Sequence, residues 1–226
     1  MTKRNLETEQ DSRATKQQKL QGSNPLYANL HTIDRNALTF LRKKQCSLTL
    51  ATNNIYSCLV CGVYLQGRSK STPLYTHCLD ASHYLSINLE TGKIYVLPEN
   101  VELSEQFFAD IQHSLDPVFT QESIKELDEG VLRSENERKW TVGYLGIGNT
   151  GWSGVNVVVQ ALAHITPLRD YFLLKKEDSA TVNPALKKEK ELARCFGQVV
   201  RQMWNPRGLR PHISPIEFVE VHLLSL

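Results

Sequence analysis

The chain has 226 residues, a 41% apolar and 22% charged composition and a net charge of +2, the profile of a globular chain of one large or two small domains. So small a net charge does not suggest a strong polyanion binder; direct RNA contact is not indicated, and any nucleic-acid role rests on local patches or on partners. No apolar run reaches the ~18 residues of a membrane span, and the polar, charged N-terminus is unlike a secretory signal.

Residues 1–24 carry almost no large apolar side chain and scattered charge (Lys3, Arg4, Arg13, Lys16 and Lys19 against Glu7, Glu9 and Asp11), which predicts a disordered tail. The five cysteines are odd in number and unevenly spaced. They point to a reducing compartment with metal or free thiols rather than a disulfide framework.

Residues 25–133 read as a first unit. Asp34 is a candidate helix cap before Leu38 and Leu41, and Cys46–Leu50 alternates as a half-buried strand with Cys46 in the core. Ile55–Leu65 reads as a strand and knuckle, followed by a loop containing Pro73. Leu85–Leu89 and Lys93–Leu97 read as strands joined by a tight turn at Glu90-Thr91-Gly92. Two trailing helices follow, one carrying Leu103, Phe107, Ile111 and Leu115, the other Gln121–Leu132. Arg133–Lys139 reads as a linker.

Residues 140–226 read as a second unit. It opens on a glycine-rich turn, Gly146–Gly154, that runs into an apolar helix, Val155–Ile165, expected to be the buried spine. Glycines ahead of a helix let backbone N–H groups approach an external group at the positive end of the helix dipole. Such a turn often presents a nucleophile, yet no cysteine lies between Cys78 and Cys195. Lys175–Lys190 reads as a charged loop leading to a helix with Leu192, Cys195, Phe196, Val199, Val200 and Met203 on one face. Ser214-Pro215-Ile216-Glu217 starts a last helix, whose Val219, Leu223 and Leu224 are expected to form an exposed patch.

Cys58-x2-Cys61 followed by His77-x5-His83 supplies two thiolates and two imidazoles, a donor set for one tetrahedral structural Zn2+. Cys78 is an alternative to His77 as third ligand. A DNA-reading zinc finger has similar spacing, but Pro73 interrupts the place of its recognition helix and the flanks add strands.

These residues carry a resemblance. Cys58–Gly62, Gln66-Gly67-Arg68, His77 and Ser82-His83 resemble the zinc-finger ubiquitin-binding domain of ubiquitin-specific proteases, and Gly143–Phe172 resembles the segment that opens their papain-like catalytic domain. Gln66-Gly67-Arg68, Lys93–Asn100, Trp204-Asn205-Pro206-Arg207 and His212-Ile213-Ser214-Pro215 are similar to the spliceosomal, protease-like group of that family associated with the U4/U6.U5 tri-snRNP. The match runs from about Tyr27 to Leu226. It implies an α+β fold: a small zinc-bound finger, then the helical first, incomplete part of an inactive protease-like domain. It also implies a nuclear protein and a non-catalytic splicing scaffold whose partners are tri-snRNP proteins.

The family's nucleophilic cysteine falls on Gly151 when aligned from the left and on Ser153 when aligned from the right; neither is a thiol. The family's histidine box falls beyond Leu226, and His113, His164, His212 and His222 match no catalytic position. The expectation is a pseudoenzyme, with an active thiol-dependent deubiquitinase as the least favoured reading. Ubiquitin-tail binders of the family use an arginine and an aromatic pair. Arg68 and Tyr95 match the arginine and one aromatic, but Ile94 stands where tryptophan is expected, which argues against ubiquitin as a ligand.

Overall fold

A computed structural model describes residues 27–104, 107–129, 141–148, 153–175 and 187–223, with the side chains of Ser153, Lys187, His222 and Leu223 outside that description. The expected tail, the 133–139 linker, Trp140, Gly151, Val131 and Leu224 also lie outside the described residues. The chain divides into two compact units, residues 1–34 with 46–103, and residues 35–45 with 104–226.

The first unit is a five-stranded antiparallel sheet of order β2-β1-β3-β4-β5: β1 Ile55–Cys58, β2 Tyr64–Gln66, β3 Leu85–Asn88, β4 Ile94–Val96 and β5 Val101–Glu102. The β3–β4 hairpin forms where the turn chemistry predicts it. The Asn88 carboxamide oxygen accepts from the Glu90 and Thr91 amides at 2.9 Å each, and Gly92 takes φ +71°.

Three expectations for residues 25–133 fail. The segment with Pro73 is a helix, α1 (Pro73–Ala81), because Thr72 is extended and Pro73 occupies the first turn, where its missing N–H costs no bond. Pro73 therefore does not separate this unit from a DNA-reading finger; the surrounding sheet does. Cys46–Leu50 is a turn and not a strand. The Leu50 amide donates to the Cys46 carbonyl at 3.1 Å, Leu50 takes φ +58°, and the Thr49 amide donates to the Cys46 sulfur. Cys46 is buried as expected. After Asp34 there is no helix either, only a 3-10 turn before it at Leu30–Thr32 and a turn at 35–37.

The second unit is helical: α2 Ala109–Leu115, α3 Gln121–Asp128, α4 Ser153–Ala163, α5 Thr166–Leu174, α6 Lys187–Met203 and α7 Ile216–Leu223, with a short parallel pair, β6 Gly146–Ile147 and β7 His212–Ile213. The trailing helices α2 and α3 group here rather than with the first unit: Ile124 and Leu127 of α3 share a core with Val142, Val159, Phe196 and Met203. A Thr120–Ser123 capping box starts α3.

The buried spine is α6, not α4. Phe196, Val199, Val200 and Met203 recur at three- and four-residue spacing and are all buried, whereas Val157 and Val158 of α4 are 69% and 55% exposed. Gly197 admits α5 to this spine, since a Cβ there would sit 2.9 Å from the Phe172 ring. Val219, expected exposed, is 5% exposed and packed; among the described residues of this unit the exposed large apolar side chains are Val118, Tyr144, Val157, Val158, Ile165, Tyr171, Leu174 and Ile216.

Candidate metal centre and the glycine turn

The first unit brings Cys58, Cys61, His77 and His83 together, with their ligand atoms all within 4.8 Å of one another. Cys58 ends β1, and a tight turn follows in which the Gly62 amide donates to the Cys58 carbonyl at 2.9 Å and Gly62 takes φ +72°. That turn swings Cys61 back beside Cys58. His77 lies in the middle of α1. Ser82 caps α1 in the left-handed region and turns His83 toward the same point.

The separations are Cys61 Sγ to His77 Nε2 3.5 Å, Cys58 Sγ to His83 Nδ1 3.6 Å and His83 Nδ1 to His77 Nε2 3.2 Å. A tetrahedron built on zinc bonds of about 2.0–2.3 Å has edges of roughly 3.3–3.8 Å. The four donors therefore fit a single zinc-sized cation by both chemistry and spacing. Burial, and then the charge of His83, lowers the His77 pKa, which keeps its lone pair free. Burial pushes the Cys58 thiol up to about 12 in the metal-free chain, so a cation must displace that proton to bind.

Cys78, the alternative third ligand, is fully buried and outside this group. Burial, then the nearby Glu99 charge, pushes its thiol up to about 11. Glu191, Cys195 and Glu217 also approach one another, but the Arg194 guanidinium bridges both carboxylates and contacts the sulfur. A cation already fills that position.

Arg68 and Tyr95 are brought together as well. The Arg68 guanidinium lies 4.0 Å above the Tyr95 ring and donates to Asn100 Oδ1 at 2.7 Å. The Tyr95 hydroxyl donates to Glu102 at 3.4 Å, and its ring meets Tyr56 edge-on. Asn100 and Glu102 were not legible as partners. The signal that marks Asn100 is its left-handed φ of +58°, a conformation asparagine tolerates in a turn.

The glycine turn is described up to Gly148, whose amide donates to the Ile213 carbonyl at 2.7 Å, and again from α4. Gly151 and the Ser153 side chain lie outside the described residues. The Asn156 carboxamide donates to the Gly148 carbonyl at 3.3 Å, tying α4 to the strand before the turn. His164, in the turn just after α4, pairs through Nδ1 with the Gln160 carbonyl at 2.7 Å and packs between Tyr144 and Trp204. That is a structural placement.

Residues 44–108 match the zf-UBP family, a Zn-finger in ubiquitin-hydrolases and other proteins, and residues 142–223 match the UCH family, ubiquitin carboxyl-terminal hydrolase. The mouse protein "Ubiquitin carboxyl-terminal hydrolase 39" is 36% identical over 198 residues, which cover 86% of this chain and 35% of that protein. "Pre-mRNA-splicing factor SAD1" of Saccharomyces cerevisiae is 30% identical over 222 residues, covering 96% of this chain and 47% of that protein. A crystal structure of an essential yeast splicing factor superposes with a TM-score of 0.72 at 29% identity, over 88% of this chain and 49% of that one. The chain thus spans less than half the length of these relatives. The match to a zinc-finger family and the Cys2His2 geometry together imply zinc binding. The chain thus carries a zf-UBP match followed by a UCH match and is similar along most of its length to the mouse ubiquitin carboxyl-terminal hydrolase 39 and to the yeast splicing factor.

Proposed function

We propose that the chain is a non-catalytic component of the pre-mRNA splicing machinery that acts in the nucleus on assembly or maintenance of the U4/U6.U5 tri-snRNP. The observation that carries this reading is the similarity to a pre-mRNA-splicing factor along 96% of the chain, in both units at once. A ubiquitin-binding finger alone would account only for the first. One zinc ion, held by Cys58, Cys61, His77 and His83, serves as a structural clamp; a small sheet with short strands gains folding free energy from such a site.

Catalysis is absent in this reading because the turn before α4 carries glycine or serine at the nucleophile position in either register. Covalent acyl transfer by this family requires a thiolate and a positioned base. Affinity purification of the chain from nuclear extract tests the reading: tri-snRNP proteins are expected to copurify, and their absence rejects it. A ubiquitin probe with an electrophilic tail is expected to leave the chain unlabelled; covalent labelling overturns the non-catalytic assignment.

Arg68 and Tyr95 support one alternative, a module for the free tail of ubiquitin, because they lie together on the finger. Against it, the guanidinium is already stacked on the tyrosine and bonded to Asn100, and Ile94 removes the second aromatic wall. Titration with ubiquitin separates the two: saturable binding well below about 1 mM favours the tail-binding module, and weaker binding removes it.

A further inference from the structure

The first unit carries a cavity of about 440 Å³ lined by Asn29, Leu79, Tyr84, Val96, Leu97, Pro98 and Glu99. That volume lies in the range of pockets that bind a ligand. Its floor is the buried pair Val96 and Leu97. Its rim holds the exposed Pro98 and Glu99 and the 53% exposed Leu79 of α1. Along β4, side chains alternate faces, so Val96 faces away from Tyr95. The cavity is therefore on the opposite side of the sheet from the Arg68–Tyr95 stack and separate from it.

Its polar groups are unusual in being uncommitted. Among the described residues, neither the Glu99 carboxylate, the Tyr84 hydroxyl nor the Asn29 carboxamide has a hydrogen-bond or ion-pair partner. Glu99 is the one charged residue of the lining, and beside it a carboxamide and a phenol, each able to accept as well as donate, border an apolar floor. An anion or a nucleic-acid phosphate would be repelled by Glu99. A guanidinium, planar and with five donors, can bond several acceptors at once while its methylene stem lies on apolar surface.

We propose that this cavity receives an arginine side chain presented by a partner peptide, with an aliphatic neighbour of that arginine lying against Leu79, Leu97 and Pro98. The site is independent of the splicing assignment and of the Arg68–Tyr95 face.

The test uses the full zinc-loaded chain and a dye-labelled, end-blocked pentapeptide with a central arginine flanked by leucines, followed by fluorescence anisotropy. Saturable binding is expected. Replacing the arginine by neutral citrulline, or Glu99→Gln in the protein, is expected to weaken it roughly tenfold, the scale of one charge-assisted hydrogen bond. Leu79→Arg, at an exposed rim position, places a cation in the mouth and is expected to abolish binding, with tyrosine near-UV dichroism confirming that the finger remains folded. Amide shifts on titration are expected to cluster at Asn29, Leu79, Tyr84 and Val96–Glu99. Absence of binding, equal binding of the citrulline peptide, or shifts centred on Arg68 and Tyr95 overturns the proposal.

Discussion

His83 illustrates how much one residue of the finger carries. It reaches the ligand cluster only because Ser82 leaves α1 in the left-handed region, and it stands 3.2 Å from His77 and 3.6 Å from Cys58. His83→Ala is expected to lower zinc affinity by at least about 100-fold, since removal of outer-sphere partners alone costs 10- to 100-fold. Zinc content after dialysis measures it. Cys195 gives a second prediction at this scale. Burial first, then Glu217 and Glu191 against the opposing pull of Arg194, pushes its thiol from 9.0 up to about 12. The unfolded chain ionises that thiol above pH 9 and the folded chain does not, so the unfolded state binds fewer protons there and stability falls as pH rises from 9 toward 12. The slope contributed is up to about 1.4 kcal/mol per pH unit. Denaturant titrations between pH 8 and 10.5 should show that fall, and Cys195→Ala should flatten it. The clustering of Cys58, Cys61, His77 and His83 was legible, because Cys-x2-Cys and His-x5-His is a spacing with a chemical reason. The partners of Arg68 were not: Asn100 is 32 residues away and meets it only once the sheet has formed.

At the scale of elements, local chemistry decides some outcomes and packing decides the others. The β3–β4 hairpin follows from its turn residues, whereas α7 starts one residue past Pro215 and its Glu217 accepts from Arg194 at 2.5 Å rather than returning to the cap. α1 was obscured by Pro73, which blocks a helix interior yet suits a helix start. Five alternating residues at Cys46–Leu50 resembled a strand, but bonds within the segment close them into a turn. In α4 the run of valines suggested burial. Apolar content is not a face, though, and only the three- and four-residue spacing in α6 specified the spine. Arg169 of α5 is the polar counterpart. It is 4% exposed and bonds Asp128 of α3 at 2.7 and 3.1 Å and Asp170 at 2.8 Å, with its guanidinium 4.6 Å from the Trp204 ring. Burial opposes its charge, but the bonds to the two aspartates hold its pKa above the ordinary value. Arg169→Ala is expected to destabilise the second unit by about 1–2 kcal/mol, because it empties a buried position against the Trp204 indole and removes bonds to two partly exposed aspartates. Thr120→Ala should cost about 1 kcal/mol through loss of the α3 cap. Urea midpoints read both.

For the whole molecule, the two units rest on different sources of stability. In the first unit the cysteine–histidine cluster would clamp a small sheet when it holds an ion, whereas the second packs around the apolar cluster at α6. Chelation at neutral pH is expected to abolish the tertiary signal of the first unit and leave the helical ellipticity of the second within a few per cent. Loss of both together would show that the second unit also depends on the ion. The two-unit division was legible in composition and motif. Its boundary was not, since residues 35–45 leave the first unit's span of sequence and α2 and α3 join the second, an exchange decided by packing.

The close approach of Gly143 to Trp204, where a Cβ would sit 2.8 Å from the indole, has an optical consequence. Trp140, Trp152 and Trp204 all fall within the second unit's span of sequence, and the first unit's span has none, though it holds Tyr56, Tyr64, Tyr84 and Tyr95. Trp204 is buried, its Nε1 donates to the Ala163 carbonyl at 3.0 Å, and His164 stacks beside it. Its emission should therefore be blue-shifted and should move to longer wavelength only when the α4–α6 packing opens. Light absorbed at 295 nm sees one half of the chain and is blind to the other, so a single cuvette distinguishes a collapsed finger from a melted helical unit without any label.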